Sequence, residues 1–177
     1  TSISINNANS TITVTFNETI YNTASGSGSI EKDDFVLSLT GGSATLVSTT
    51  PITISPTSGN TKQYILGINI SNIPDGSETL TVNPVINSIY DLAGNVATTS
   101  QTNNTINLND KTVPYITGIS INNDNSTITV TFNENIYNTS TGSGSIEAND
   151  FELSLSGGTA TLASTTPTSI SQSTGNT

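Results

Sequence analysis

The chain has 177 residues and a mass of 18.2 kDa, with 13 acidic side chains, three lysines and a formal net charge of -10. It contains no cysteine, histidine, methionine, tryptophan or arginine. These absences exclude disulfides, thiol and histidine relays, and the zinc, copper and haem sites that need such ligands. Three scattered lysines make nucleic acid an unfavourable partner. We expect no membrane insertion, because no apolar run is long enough to span a bilayer.

The predicted elements are short β-strands separated by turns. In chain order, these strands are residues 2–6, 11–16, 35–39, 44–48, 63–70, 78–83 and 105–109. Most of them alternate apolar and polar residues, as strands with one buried face do. Turn clusters such as Gly26-Ser27-Gly28 and Pro74-Asp75-Gly76 separate them. About seven short strands within about 110 residues, with no helical period, predict an all-β fold, an immunoglobulin-like antiparallel β-sandwich.

A long internal repeat is the strongest pattern in the sequence. Residues 2–61 recur without a gap at residues 118–177, and about three quarters of the aligned residues are identical. A repeat this long has the length of a whole domain rather than of a solenoid unit. We therefore predict tandem domains, with a complete repeat at residues 1–111 and the first half of a second at residues 112–177. We expect the array to continue, and the second unit to be completed by another copy of the chain or by further polypeptide.

Differences between the two copies indicate which side chains face the solvent. Val36 of the first copy becomes Glu152 in the second, whereas its neighbours Phe35 and Leu37 are unchanged. A charged residue is tolerated only on an exposed face, so this strand is predicted to bury Phe35 and Leu37 and to expose Val36.

Four motifs occur in order along the first copy. They are ITVTF followed by Glu18, the Asp34-Phe35 pair, the strand ETLTVNP, and SIYDLAGN before NLNDKTVPYI. Together with the repeat, they resemble the bacterial immunoglobulin-like repeats of giant cell-surface adhesins, of the kind found in tandem arrays in Bacteroidetes. The resemblance covers essentially the whole chain. It implies a structural spacer or stalk of a secreted adhesin or surface filament, extracellular and at the cell surface, with neighbouring repeats of the same protein as partners.

The resemblance also implies two kinds of site. Some relatives bind Ca²⁺ at domain joints, and some Gram-positive relatives form Lys–Asn isopeptide crosslinks. Ca²⁺ takes six to eight oxygen ligands from carboxylates, amides and carbonyls. The candidate calcium ligands are Asp91, Asn95, Asn109, Asp110, Glu18 and Glu134.

These calcium candidates have an alternative interpretation. If the DLAGN loop and the joint converge at one end of the sandwich, their side chains share an ion. The alternative is that Asp and Asn stabilise turns by bonding their own backbone, and no alternating run of aspartates is present. Asp34 and its counterpart Asp150 are interpreted mainly as caps at the start of a strand. Lys32 is lost in the second copy, so the lysines are interpreted as surface residues rather than crosslink donors.

Two functions remain open, and neither is enzymatic. A near-identical domain repeated in series indicates length rather than a catalytic pocket, so we expect no enzyme activity. The favoured function is the structural spacer. The alternative is a ligand-binding module of the same kind of surface protein, with loops at one end that bind a host or surface glycan or protein. The loop GSGSIE is identical in the two copies, which favours the spacer, since binding arrays often vary their loops.

Overall fold

The computed structural model describes residues 1–58 and 60–172, with Asn60 described by its backbone alone. The chain divides after Thr112 into two compact units. Unit 1 is Thr1–Thr112, and unit 2 begins at Val113. Residues 173–177, the end of the second copy of the repeat, lie outside the described residues.

Unit 1 is built from short strands. In chain order they are β1 (Ser2–Ile5), β2 (Thr11–Thr15), β3 (Phe35–Thr40), β4 (Thr45–Leu46), β5 (Thr53–Thr57), β6 (Asn60–Gly67), β7 (Ile70–Ser71), β8 (Thr79–Pro84) and β9 (Thr105–Asn107). One sheet has the order β1-β2-β6-β5 and a second has the order β3-β8-β9, while β4 and β7 form a separate pair. All these pairings are antiparallel. The prediction of an all-β fold with antiparallel sheets is confirmed, and the described residues contain no α-helix.

The alternation of apolar residues positions β2 at the centre of the first sheet. Ile12 pairs with Ile5 of β1 on one side and with Leu66 of β6 on the other. Ile12 and Leu66 are fully buried, whereas the threonines of β2 are half-buried on the opposite face. Each strand therefore contributes one apolar row to the core and one polar row to the surface.

One apolar cluster joins the two main sheets. It combines β2 and β6 of the first sheet with β3 and β8 of the second. The rings of Phe16 and Phe35 lie 6.3 Å apart within it, in a tilted arrangement. Phe35 and Leu37 are each 1 % exposed and Val36 between them is 41 % exposed, so the face assignment made from the two copies is confirmed. The two sheets thus share one core, as the layers of a β-sandwich do.

Apart from shifts of one or two residues at strand ends, the strands of unit 1 differ from the prediction in two places. β5 was not predicted, because Pro56 within it lacks the N–H that a paired strand uses. Proline is tolerated here because β5 is an edge strand that pairs only with β6. The predicted strand 63–70 is divided into β6 and β7, which pair with different partners, and Gly67 ends the first of them.

Unit 2 contains a β-hairpin, β10 (Ile116–Ile121) with β11 (Ile128–Phe132). The turn between them repeats the β1–β2 turn. Oδ1 of Asn122 accepts from the N–H groups of Ser126 and Thr127 at 2.9 Å, as Oδ1 of Asn6 does from the equivalent residues of unit 1. This geometry follows from the local sequence, since an asparagine side chain that bonds the backbone ahead of it closes a turn by itself.

The later strands of unit 1 have no counterparts among the described strands of unit 2. Residues 151–156 repeat most of β3, yet they form no strand. In unit 1, β3 is held by β8 along its whole length, and residues 112–177 contain no equivalent of β8. Strand formation at these positions therefore depends on a partner and not on local propensity.

Candidate functional site

The DLAGN loop closes on itself through Asp91 and Asn95. The backbone N–H of Asn95 donates to Oδ1 of Asp91 over 2.8 Å, and the side-chain amide of Asn95 donates to Oδ2 over 2.7 Å. The N–H of Asp91 donates in return to the carbonyl of Asn95. Gly94 takes a φ of 86° and the loop approaches Ala24 closely, which favours glycine there. Both oxygens of Asp91 therefore already accept hydrogen bonds from Asn95.

Hydrogen bonds of this kind lower the pKa values of the loop carboxylates. The side-chain amide of Asn95, helped by its backbone N–H, holds the pKa of Asp91 below its ordinary value of 3.8. The Ser77 hydroxyl lowers the pKa of Asp75, and the Ser126 hydroxyl lowers that of Asp124, in the same way.

We expect carboxyl NMR titration to place the midpoint of Asp91 below 3.8. A lowered pKa in the folded state means that this group stabilises the fold at neutral pH. The contribution is lost as the pH falls through the folded pKa. As the control, Asn95→Ala should move the midpoint of Asp91 back towards 3.8. A midpoint of Asp91 that this substitution leaves unchanged would contradict the assigned hydrogen bonds.

Asp34 occupies the position expected of a cap at the start of β3. Its Oδ2 accepts the N–H of Glu31 over 2.7 Å across a single turn of 3-10 helix, Lys32–Asp34. Asp150 accepts the N–H of Glu147 in the same way over 2.8 Å in unit 2. Partial burial raises the pKa of Asp34, with a smaller opposing effect from the Glu31 N–H. Its pH contribution therefore has the opposite sign to that of Asp91.

Asn109 binds the turn between β1 and β2 where the chain leaves unit 1. The buried side chain of Asn9 donates to the Asn109 carbonyl over 2.7 Å and accepts from the Asn109 N–H over 2.9 Å. The Asn109 side chain donates to Asn9 Oδ1 and to the carbonyl of Asn6. We call this set the exit clamp. Sequence reasoning missed Asn9, although the same asparagine recurs in the second copy as Asn125.

Replacing Asn9 by alanine should lower the free energy of unfolding of unit 1 by about 2–3 kcal/mol. The substitution leaves part-buried polar groups of Asn109 without partners, and it places alanine, which tolerates the left-handed region less well than asparagine, at a φ of 55°. Urea denaturation followed by tyrosine fluorescence would measure the change. Asn87→Ala is the matched control, because Asn87 is exposed and has a φ of 57°. An equal effect at both positions would show that backbone strain alone is involved.

The other calcium candidates lie in separate places. Asp110 follows the exit clamp, and its Oδ1 accepts the N–H of Thr112 over 2.8 Å. Glu18 follows β2 and Glu134 follows β11. Their Oε1 atoms accept from the side chains of the preceding asparagines, over 3.4 Å at Glu18 and 3.0 Å at Glu134.

The structure does not bring the DLAGN loop to Asn109. Asn109 bonds the turn before β2, whereas Tyr90, beside the loop, exchanges backbone hydrogen bonds with Tyr21, beyond the end of β2. The five residues of β2, at roughly 3.3 Å each, separate the two places. Within the described ranges, no group of three or more acidic side chains is placed to hold a metal ion. The residues at each place supply one carboxylate, which fits Ca²⁺ poorly, and calcium binding remains a prediction.

Thermal melting in Ca²⁺ and in chelator tests that prediction. If Ca²⁺ binds as the sequence predicts, the melting temperature of the full chain should show a rise of several degrees in Ca²⁺ over that in chelator. Equal melting temperatures in the two conditions would contradict calcium binding. If the rise were abolished by Asp91→Asn or by Asp110→Asn, it would also locate the site.

Glu78 is the second residue that sequence reasoning missed, since it stood simply as the first residue of a predicted strand. It is fully buried. Its Oε1 accepts from the N–H groups of Ser43 and Ala44 at 3.0 Å, and its Oε2 accepts from those of Asp75 and Gly76 at 3.2 Å. One carboxylate therefore holds two loops of unit 1 together.

Close packing around Glu78 also explains the adjacent Gly41-Gly42 pair. A Cβ at Gly42 would clash with Oε1 of Glu78, and Gly42 has a φ of 57°. Only glycine leaves room for the carboxylate at this position. The pair Gly41-Gly42 was the available sequence signal, and it lies far from Glu78 in the chain.

The three lysines occupy exposed positions, as predicted. Lys32 pairs with Asp33 at 2.9 Å, Lys62 donates to the carbonyl of Asn17 and Lys111 donates to the side chain of Asn7. An isopeptide crosslink needs a buried lysine beside its acceptor, so this arrangement does not favour one.

A small apolar cavity lies between the sheets, with a volume of about 10 Å³. Ile3, Val14, Phe16 and Phe35 contribute to its lining. This volume is about that of one water molecule, so the cavity is a packing gap rather than a ligand pocket.

No protein-family model, curated protein or solved structure matches this chain. The described part of the chain has no helix with the length and apolar character needed to cross a bilayer. The functional argument therefore depends on the geometry of the chain itself.

Proposed function

We propose that this chain is a structural spacer of an extracellular bacterial adhesin or surface filament, located at the cell surface. One observation carries the proposal: the chain enters and leaves unit 1 at opposite ends. Thr1 lies before β1 and bonds Gln101, whereas Asn109 is clamped to Asn6 and Asn9, beyond the other end of β1. A domain with this arrangement adds its length to an extended molecule.

The strand order supports an immunoglobulin-like assignment within this proposal. The orders β1-β2-β6-β5 and β3-β8-β9 correspond to the A-B-E-D and C-F-G sheets of a constant-type immunoglobulin sandwich. Neighbouring repeats of this type are the proposed partners.

The connections of β1 suit a domain under tension. β1 pairs with β2 from Ser2 opposite Thr15 to Ile5 opposite Ile12. A force along β1 loads all of these hydrogen bonds together, because it shears the two strands past each other. The exit clamp fixes Asn109 to the turn between β1 and β2. Force applied where the chain leaves unit 1 therefore acts on the paired strands and does not first detach the residues that follow β9.

The surface also supports a passive role. The net charge of -10 disfavours self-association, although repulsion is screened beyond roughly 8 Å at physiological salt. The ligand-binding alternative remains a prediction from the sequence. Among the described residues, no deep pocket favours it.

Single-molecule pulling tests the proposal. The chain has no cysteine, so Thr1→Cys and Thr112→Cys together give two specific tethers on the full chain. We expect unit 1 to unfold in one step and to release roughly 3.3–3.6 Å per residue. Tethers at Asn7→Cys and Thr112→Cys, which lie at the same end, should give a much lower unfolding force. Equal forces in the two geometries would contradict a spacer adapted to end-to-end tension.

A further inference from the structure

Unit 2 exposes apolar side chains whose counterparts in unit 1 are buried or partly buried. Ile128 is 44 % exposed, whereas its counterpart Ile12 is fully buried. Ile119 of β10 and Leu155 are 66 % and 54 % exposed. Large apolar side chains exposed in this way mark an interaction surface. We call this the open face of unit 2, and its large members are Ile119, Ile121, Ile128, Leu155, Leu162 and Ile170.

The open face keeps the local geometry of a sandwich half. The rings of Phe132 and Phe151 lie 6.4 Å apart, close to the 6.3 Å of their counterparts in unit 1. The N–H of Leu153 donates to the carbonyl of Thr165 over 2.7 Å, as the N–H of Leu37 does to Thr49 in unit 1. The surface is therefore organised before anything covers it.

Unit 1 shows what covers this surface. β6 pairs with the free side of β2, placing Leu66 beside Ile12 and Tyr64 beside Val14. β8 pairs with β3. Both strands lie in residues 60–84, and the whole second half, residues 62–111, has no equivalent in residues 112–177. Residues 128–132 repeat residues 12–16 without change, so β11 presents the same edge that β2 presents to β6.

A second feature of unit 2 points to the same occupant. Gly157 and Gly158 have φ values of 79° and 68°, so their loop repeats the Gly41-Gly42 conformation. A Cβ at either position would meet nothing within 4 Å, whereas in unit 1 the Ser77 carbonyl fills that space at Gly41 and the Glu78 carboxylate fills it at Gly42. No described residue accepts the N–H groups of Thr159 and Ala160, the counterparts of the Glu78 donors. This loop is ready to accept a carboxylate.

Two identical copies of the chain cannot cover all of their open faces by exchanging their second halves. Each chain has two first halves, residues 2–61 and 118–177, and one second half, residues 62–111. Every exchange that covers one open face therefore uncovers another. This count disfavours exchange between copies, and it favours an occupant that resembles residues 62–111 and is additional to them.

We propose that the open face of unit 2 binds a polypeptide segment with the chemistry of residues 62–111. The segment adds a strand beside β11, with a leucine opposite Ile128 as Leu66 lies opposite Ile12. It also places a glutamate on the N–H groups of Thr159 and Ala160, as Glu78 lies on Ser43 and Ala44. The proposal rests on the repeat and the open face, and it is independent of the spacer role.

The test joins a copy of residues 62–111 directly after residue 177, the residue that aligns with Thr61. Amide hydrogen exchange is measured in the extended chain and in the parent. We expect the amides of β11 to exchange at least about a hundredfold more slowly in the extended chain, approaching those of β2. Equal exchange rates in the two chains would overturn the proposal while leaving unit 1 and the spacer role untouched.

Two controls make the result specific. An extension that carries Leu66→Asp and Glu78→Ala in the added copy should leave β11 exchanging as in the parent. If that altered extension protects β11 equally, the proposal fails, because any added polypeptide would then suffice. The unextended parent is examined by sedimentation equilibrium over a range of protein concentrations. Self-association that protects β11 would overturn the proposal in favour of a second copy as occupant.

Discussion

Replacing Glu78 by alanine is expected to lower the free energy of unfolding of unit 1 by about 3–5 kcal/mol. The carboxylate is fully buried and accepts from the backbone of Ser43 and Ala44 on one loop and of Asp75 and Gly76 on another. Hydrogen bonds to a charged group contribute about 1.5–3 kcal/mol each, and a buried donor left without an acceptor adds its own desolvation cost. Urea denaturation followed by tyrosine fluorescence would measure the loss.

Two further variants separate the causes. Glu78→Gln keeps the shape but offers one oxygen and one amide to donors on both loops, so we expect a loss of about 2 kcal/mol or more. Glu18→Ala removes an exposed glutamate of unit 1 and should change the stability by less than about 0.5 kcal/mol. If Glu78→Ala proved as mild as Glu18→Ala, the carboxylate would not be what holds the two loops together.

The second large effect is a difference between two equivalent residues. Ile12→Ala should lower the free energy of unfolding of unit 1 by about 2–5 kcal/mol, because Ile12 is fully buried between β1 and β6. Ile128→Ala changes the same residue in the same local sequence. Ile128 is 44 % exposed, so we expect less than about 1 kcal/mol there. Hydrogen exchange resolved by residue would assign each effect to its unit.

This pair also links stability to the open face. In a chain extended by a copy of residues 62–111, Ile128→Ala should become about as costly as Ile12→Ala, because the added half would bury Ile128. A cost at Ile128 that is already large in the parent chain would mean that its face is covered without any addition. That outcome would contradict the exposure described for β11.

The sequence alone determined the class of fold and the position of most strands in unit 1. Alternating apolar residues in segments such as TITVTF need one buried face, and this requirement holds for any partner. The two copies added the face assignment at Val36, because a position that accepts glutamate is exposed. Turns were predictable for a local reason, since Asn6 and Asp91 bond backbone groups only a few residues away.

The candidate site was less predictable, because its important contacts join residues far apart in the chain. Asn9 and Asn109 are 100 residues apart, and Glu78 holds a loop that lies 35 residues before it. Nothing near either residue distinguishes it from an ordinary turn asparagine or surface glutamate. The convergence of the DLAGN loop with Asn109 was likewise a question of topology, and unit 1 places them beyond different ends of β2.

Tertiary structure also decided which copies of a sequence become strands. The segment Phe35–Thr40 forms β3, whereas residues 151–156, which keep its phenylalanine and both leucines, do not. Local sequence determines turns and caps, because their hydrogen bonds close within a few residues. A strand needs a neighbour to accept its hydrogen bonds and cover its apolar face. That neighbour, β8, is present for β3 and has no equivalent in residues 112–177.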